Sequence, residues 1–273
     1  MEFLIEPLRY SFMLRGLGGG LLTAFACAAL SAFVVWRGMS FMGDALAHSV
    51  LPGIVVAYIL GISLFWGALG AAVLVVIGIG LISRRGGLGE DAAIGVVFAG
   101  FFALGILMLS KVATFSDLSH ILFGNILGIS SGDLVIMAVV VAIVLMGILL
   151  SYKEILTASF DPAHASAIGL SPALVRYLIL TMLALTTVVA IQTVGVVLVL
   201  ALLVTPGAAA SLVSRRLGRI IFLSLIMAVI ATVIGFYASY YVDVASGPAI
   251  VLTLTVMFVL CGVYSVLRKK IRY

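Results

Sequence analysis

Long stretches of this chain carry no charged residue. The runs 16–36, 92–110, 134–152, 220–242 and 244–267 each reach the length of about 20 residues that a helix needs to cross a bilayer. The runs 49–83 and 177–214 are too long for one helix and divide at Gly61-Ile62-Ser63 and at Gln192-Thr193-Val194-Gly195. The pattern predicts helices over about 16–36, 39–60, 64–83, 91–110, 132–150, 173–191, 193–206, 218–238 and 247–266. Residues 117–129 are apolar but short and read as a re-entrant or interfacial segment. The count is eight or nine crossings: if one short segment is re-entrant it becomes eight, and the N-terminus moves inside. Residues 1–15 mix Glu2, Glu6, Arg9 and Arg15 with apolar positions and read as an interfacial amphipathic segment, not a cleaved leader. The fold class is all-α and polytopic, with one transmembrane domain over 1–273.

Composition agrees. Hydrophobic residues make up 64% of the 273 and charged residues 9%, against roughly 45–50% and ~25% in soluble domains. Mean hydropathy is +1.39. These values exclude a water-soluble enzyme, a disordered chain and a nucleic-acid binder. The net charge of +5 therefore bears on orientation. With nine crossings and the N-terminus outside, only Arg9, Arg15 and Lys111 of the 15 Lys and Arg fall outside. The positive-inside rule favours that arrangement, with a cytoplasmic C-terminus after Arg268-Lys269-Lys270. Cys27 and Cys261 lie in apolar runs and read as small buried side chains.

Most of the 10 acidic residues fall at predicted helix ends. Asp44 does not. It stands in MGDALAHSVLPG (42–53), and His48 follows one turn later on the same helix face. An ionised Asp at the bilayer centre costs about 2.5–3.5 kcal/mol. A carboxylate and an imidazole one turn apart form half of a site for Mn, Fe or Zn. The plain alternative is that Asp44 caps a helix starting at Ala45. Pro52 and Gly53 weaken the helix just beyond, as in the discontinuous helices of transporter sites. His120 reads as an entry-side ligand or an interfacial histidine, and His164 as a surface residue. The zinc-protease motif H-E-x-x-H is absent, and so is a phosphate-binding loop, G-x-x-x-x-G-K-[ST]. Active transport would thus draw energy from a partner or an ion gradient. In LLVTPGAAASLVSRRLGRI (202–220) the pattern predicts that an apolar helix stops at Pro206. Either a small cytoplasmic helix over about 206–217 offered to a soluble partner or a plain positive-inside loop would follow, with the cations Arg215, Arg216 and Arg219.

Six segments carry a family resemblance along nearly the whole chain. They are FVVWRGMSFMGDALAHSVLPG (33–53), EDAAIGVVFA (90–99), LFGNILGIS (122–130), DPAHASAIG (161–169), VGVVLVLALLVTPGAAA (194–210) and DVASGPAIV (243–251). The chain resembles the permease subunits of metal-ion ABC importers of the zinc/manganese/iron type.

The resemblance implies a cobalamin-transporter-like helical fold and a homodimer in a prokaryotic cell membrane. It also implies two ATP-binding cassette subunits and an extracytoplasmic metal-binding protein as partners. The chain itself would not be an enzyme, and the metal would be cargo, not a tightly bound cofactor. Asp44 and His48 match the family's metal-ligand positions. Pro206, Gly207, Ala208, Ala209, Ala210, Ser211, Leu212, Arg215 and Arg216 match the region that couples to the ATPase. The binding protein is expected to dock near Tyr240, Asp243 and Gly247. Family members often carry an acidic residue where His164 stands. Manganese is the favoured cargo, with zinc or iron as alternatives. Competing readings are a siderophore- or cobalamin-type permease, a partner-independent metal channel or carrier, and an intramembrane metalloenzyme. The last would need a further His or Glu ligand motif.

Overall fold

The computed structural model describes residues 6–85, 90–111 and 126–271. A 3-10 turn, Pro7–Arg9, leads into α1 (Ser11–Trp36). There follow α2 (Met42–Ser49), α3 (Leu51–Leu60), α4 (Leu64–Arg85) and α5 (Glu90–Leu109). After a second 3-10 turn, Ile126–Gly128, come α6 (Ser131–Leu150), α7 (Tyr152–Phe160), α8 (Pro162–Ala167) and α9 (Pro172–Val194). The chain then forms α10 (Val196–Val213), α11 (Leu217–Val242) and α12 (Ser246–Ile271). Among the described residues nine segments are long and apolar enough to cross a membrane, with Met42–Leu60 counted as one.

The long apolar runs divide where the sequence predicts. Gly61 ends α3 and Gly195 separates α9 from α10, both with positive φ, 64° and 82°, where a Cβ would be strained. Three boundaries differ from expectation. The first spanning helix begins at Ser11, so residues 11–15 belong to it and not to a separate interfacial segment. The chain between Leu150 and Pro172, left outside the predicted helices, forms α7 and α8. Asp161 Oδ1 accepts the His164 N–H at 2.8 Å and caps α8; both side chains are exposed.

The third difference matters most. The helix does not stop at Pro206, and no separate helix covers 206–217: α10 runs through Pro206 to Val213. Proline lacks an N–H and its ring crowds the carbonyl one turn back. Here Ser31 of α1 bridges the helix beside the proline. Its Oγ accepts the Gly207 N–H at 2.8 Å and donates to the Val204 carbonyl at 3.4 Å. Ser31 is fully buried, and a Cβ on Gly207 would overlap it. The two helix backbones therefore pass close together, and a polar group from one completes the other.

The chain separates into two compact units. Unit 1 comprises 1–40, 120–141 and 190–273, and unit 2 comprises 41–119 and 142–189. In unit 1, α1 packs against α10 and α11, and α12 packs against both of those. Gly16 and Gly20 bring α1 onto Phe236 and Thr232 of α11. In unit 2, α3 packs against α4 and α5, and α2 packs against α5. Gly53 of α3 and Gly67 of α4 face each other so closely that a Cβ on either would strike the other's carbonyl oxygen. The Arg176 guanidinium donates to Ser83 Oγ at 2.8 Å, joining α9 to α4.

Candidate metal site

The segment 42–60 is two helices in line. Its break falls at Val50, with Pro52 in the first turn of α3. Proline is tolerated there because the first N–H groups of a helix have no partner one turn back. The Ser49 hydroxyl turns back onto the Ala45 carbonyl at 2.5 Å. The Ile54 N–H reaches the Val50 carbonyl at 3.1 Å and starts the next ladder. The break leaves α2 as a short helix with Asp44 in its first turn and His48 in its last. Met42, Gly43, Ala45, Leu46, Ala47 and Ser49 around them are buried, while Asp44 and His48 are each half-exposed.

His48 Nε2 lies 3.4 Å from Asp44 Oδ1. Two ligand atoms bonded to one metal at about 2.0–2.2 Å stand ~3.0 Å apart at a right angle and ~3.5 Å apart at the tetrahedral angle. The observed separation falls in that window without movement of either side chain. The imidazole packs edge-on to Phe102, with ring centroids 5.2 Å apart, and lies 6.3 Å from Phe98. Phe98 and Phe102 stack on each other on α5. The ring thus lies between this wall and the carboxylate that Nε2 faces. His48 Nδ1 is buried without a hydrogen-bond partner. Among the described residues no third His, Cys, Asp or Glu joins the pair, so one copy offers two ligands to a cation. His120 lies outside the described residues.

The other expected site residues divide by accessibility. Pro206, Gly207, Ala209 and Ala210 are buried, and Ala208 and Ser211 are half-buried. Leu212, Arg215 and Arg216 are exposed where the chain leaves α10. Tyr240 and Asp243 fall at the α11–α12 turn. Asp243 takes the left-handed conformation, φ 55°, and Ser239 Oγ bonds the Val244 carbonyl at 2.5 Å. Tyr240 meets Tyr10 at 6.5 Å and Tyr241 at 5.0 Å between ring centroids. Gly247 follows in the first turn of α12. Ser31, Phe98 and Phe102 escaped the sequence reading. The four-residue spacing of the phenylalanines was a usable signal; Ser31 had none, because its role exists only against α10.

The chain is thus helical, with nine candidate membrane spans among the described residues and a carboxylate–imidazole pair on an interrupted one. Residues 9–265 match the ABC 3 transport family, and the chain belongs to it. The manganese transport system membrane protein MntB of Synechocystis sp. is 43% identical over 259 residues, 95% of this chain and 85% of that one. The chelated iron transport system membrane protein YfeD of Yersinia pestis is 39% identical over 260 residues, covering 95% and 88%. Among solved structures, PsaBC from Streptococcus pneumoniae in complex with Fab superposes with a TM-score of 0.84 at 37% identity, over 95% of this chain and 94% of that one. A metal-chelate type ABC transporter in an inward-facing conformation shares the fold, with a TM-score of 0.73 at 18% identity and coverage of 94% and 86%.

Proposed function

We infer that this chain is the membrane-spanning subunit of an ATP-driven importer of divalent transition-metal ions in a bacterial cell membrane, with manganese the favoured cargo. The observation that carries this reading is the 3.4 Å Asp44–His48 pair on a separate short helix, in a chain of the ABC 3 transport family. Relatives named for manganese and for iron transport support the substrate class.

Asp44 supplies an anionic oxygen and His48 a neutral nitrogen to the passing cation. Both accept Mn, Fe and Zn, so the pair selects a class of ion and not one member. Two copies of this chain in a homodimer bring two oxygens and two nitrogens, enough to replace much of a cation's water shell. One carboxylate and one imidazole per copy hold the ion loosely enough for it to leave, as conduction requires.

The ATPase subunits supply the energy. They dock on the exposed end of α10, at Ser211, Leu212, Arg215 and Arg216. The buried run from Pro206 to Ala210 transmits their movement to α1 through the Ser31 contact. An extracytoplasmic metal-binding protein delivers the ion at the α11–α12 turn, around Tyr240, Asp243 and Gly247. The C-terminus lies in the cytoplasm, as the distribution of cations favours.

Reconstitution tests the reading. Proteoliposomes holding this chain with its ATPase and binding protein are expected to accumulate radiolabelled Mn only when ATP is supplied. Equal accumulation by the chain alone would replace the importer with a partner-independent channel or carrier.

A further inference from the structure

Of residues 41–50, Phe41, Asp44 and His48 alone are not buried. Phe41 is the most open of the three, at 83% exposure. Asp44 and His48 are accounted for by the metal; the bare phenylalanine beside them is not.

Phe41 precedes α2 but already follows its geometry. Its backbone is helical, with φ −80° and ψ −9°, and its carbonyl accepts the Ala45 N–H at 2.9 Å. At about 100° per residue, Asp44 lies ~60° and His48 ~20° around the helix from Phe41, both to the same side. The three share one narrow stripe, with Phe41 about 5 Å along the axis from Asp44. Met42, Gly43, Ala45, Leu46 and Ala47 fill the rest of the circumference and are buried.

The shared stripe decides what the ring faces. An exposed phenylalanine on a membrane helix ordinarily faces lipid. A carboxylate and an imidazole do not: they face a water-filled path or another protein group. Phe41 therefore looks into the same space as the ligand pair. The turn before it holds Arg37 and lies on the cytoplasmic side in the arrangement that the cations favour. An ion that has reached Asp44 from outside still has this ring ahead of it. Apolar constrictions stop ions because water leaves them, and the ion cannot follow without its hydration shell. We propose that Phe41 is the cytoplasmic barrier of the metal path: its ring, with its counterpart in a second copy of the chain, closes the path one turn below Asp44 until the ATPase cycle separates the two. The proposal rests on the homodimeric importer reading given above.

Thiol labelling from the cytoplasmic side tests it. The probe is a membrane-impermeant maleimide added to inside-out vesicles that hold the assembled transporter without ATP. The wild type, whose Cys27 is buried and Cys261 half-buried, gives the background. The Asp44→Cys variant is expected to react slowly. Adding Phe41→Ala should speed the reaction about tenfold, the change that a barrier lower by about 1.4 kcal/mol gives. Adding Phe41→Trp should leave it slow. Equal labelling rates with Phe41 and with Phe41→Ala would overturn the barrier, and so would labelling from the opposite face alone. Should the double variants fail to assemble, Phe41→Cys decides. It must react with the impermeant reagent, and reaction with a membrane-soluble maleimide alone would place the ring in lipid and refute the proposal. ATP-driven Mn accumulation by the wild type is measured separately, so the importer reading and the barrier can fail independently.

Discussion

Two prolines in this chain stand in apolar helical sequence with opposite outcomes. At Pro52 the helix is broken: α2 ends at Ser49, α3 starts at Leu51, and Asp44 and His48 ride on the detached piece. At Pro206 the helix continues for two further turns. The proline is the same, so its neighbours decide. Ser31 lends Gly207 an acceptor and Val204 a donor, which lets α10 pass through its weak point. Around Pro52 the neighbour is instead another glycine backbone, Gly67, pressed against Gly53. That contact fixes the position of α3 but brings no side-chain hydroxyl to Gly53. A membrane helix is interrupted where sequence weakens it and no neighbouring polar group restores it.

Substitutions can break or sharpen the contrast, in descending order of effect. Gly53→Leu would drive a side chain into the Gly67 carbonyl. It is expected to cost about 3 kcal/mol or more, seen as loss of monodisperse protein on size exclusion. Normal yield would show that α3 and α4 need not approach. Ser31→Ala would leave the buried Gly207 N–H without its acceptor, at about 1–3 kcal/mol. Thermal melting in detergent should fall, and ATP-driven uptake with it. An unchanged Tm would mean that α10 needs no help at Pro206. Phe102→Ala removes the wall behind the imidazole. A loss of about 0.5–1.5 kcal/mol of ring orientation is expected to slow uptake a few-fold at unchanged expression, and an unaltered rate would show that the ring is held by other contacts.

What could be read from the chain beforehand follows the same physics. Apolar runs and the glycines at Gly61 and Gly195 placed the spanning helices, because length and backbone freedom are local properties. Asp44 and His48 were visible because charge in an apolar run is costly and because the four-residue spacing is a helical turn. The fate of Pro206 was not legible: it depends on Ser31, separated by most of the chain, and no local rule distinguishes a bridged proline from one that ends a helix. The Phe98–Phe102 wall was half legible, its spacing in the sequence and its partner in the fold.

The central claim is that the detached helix presents Asp44 and His48 to the cation in transit. The most direct measurement is the initial rate of Mn uptake by the reconstituted transporter carrying Asp44→Ala or His48→Ala, with assembly and ATP hydrolysis checked on the same vesicles. Each variant is expected to assemble normally and to lose uptake by at least the 10–100-fold that removal of even an outer-shell partner costs a metal site. Wild-type uptake by either correctly assembled variant would contradict the account.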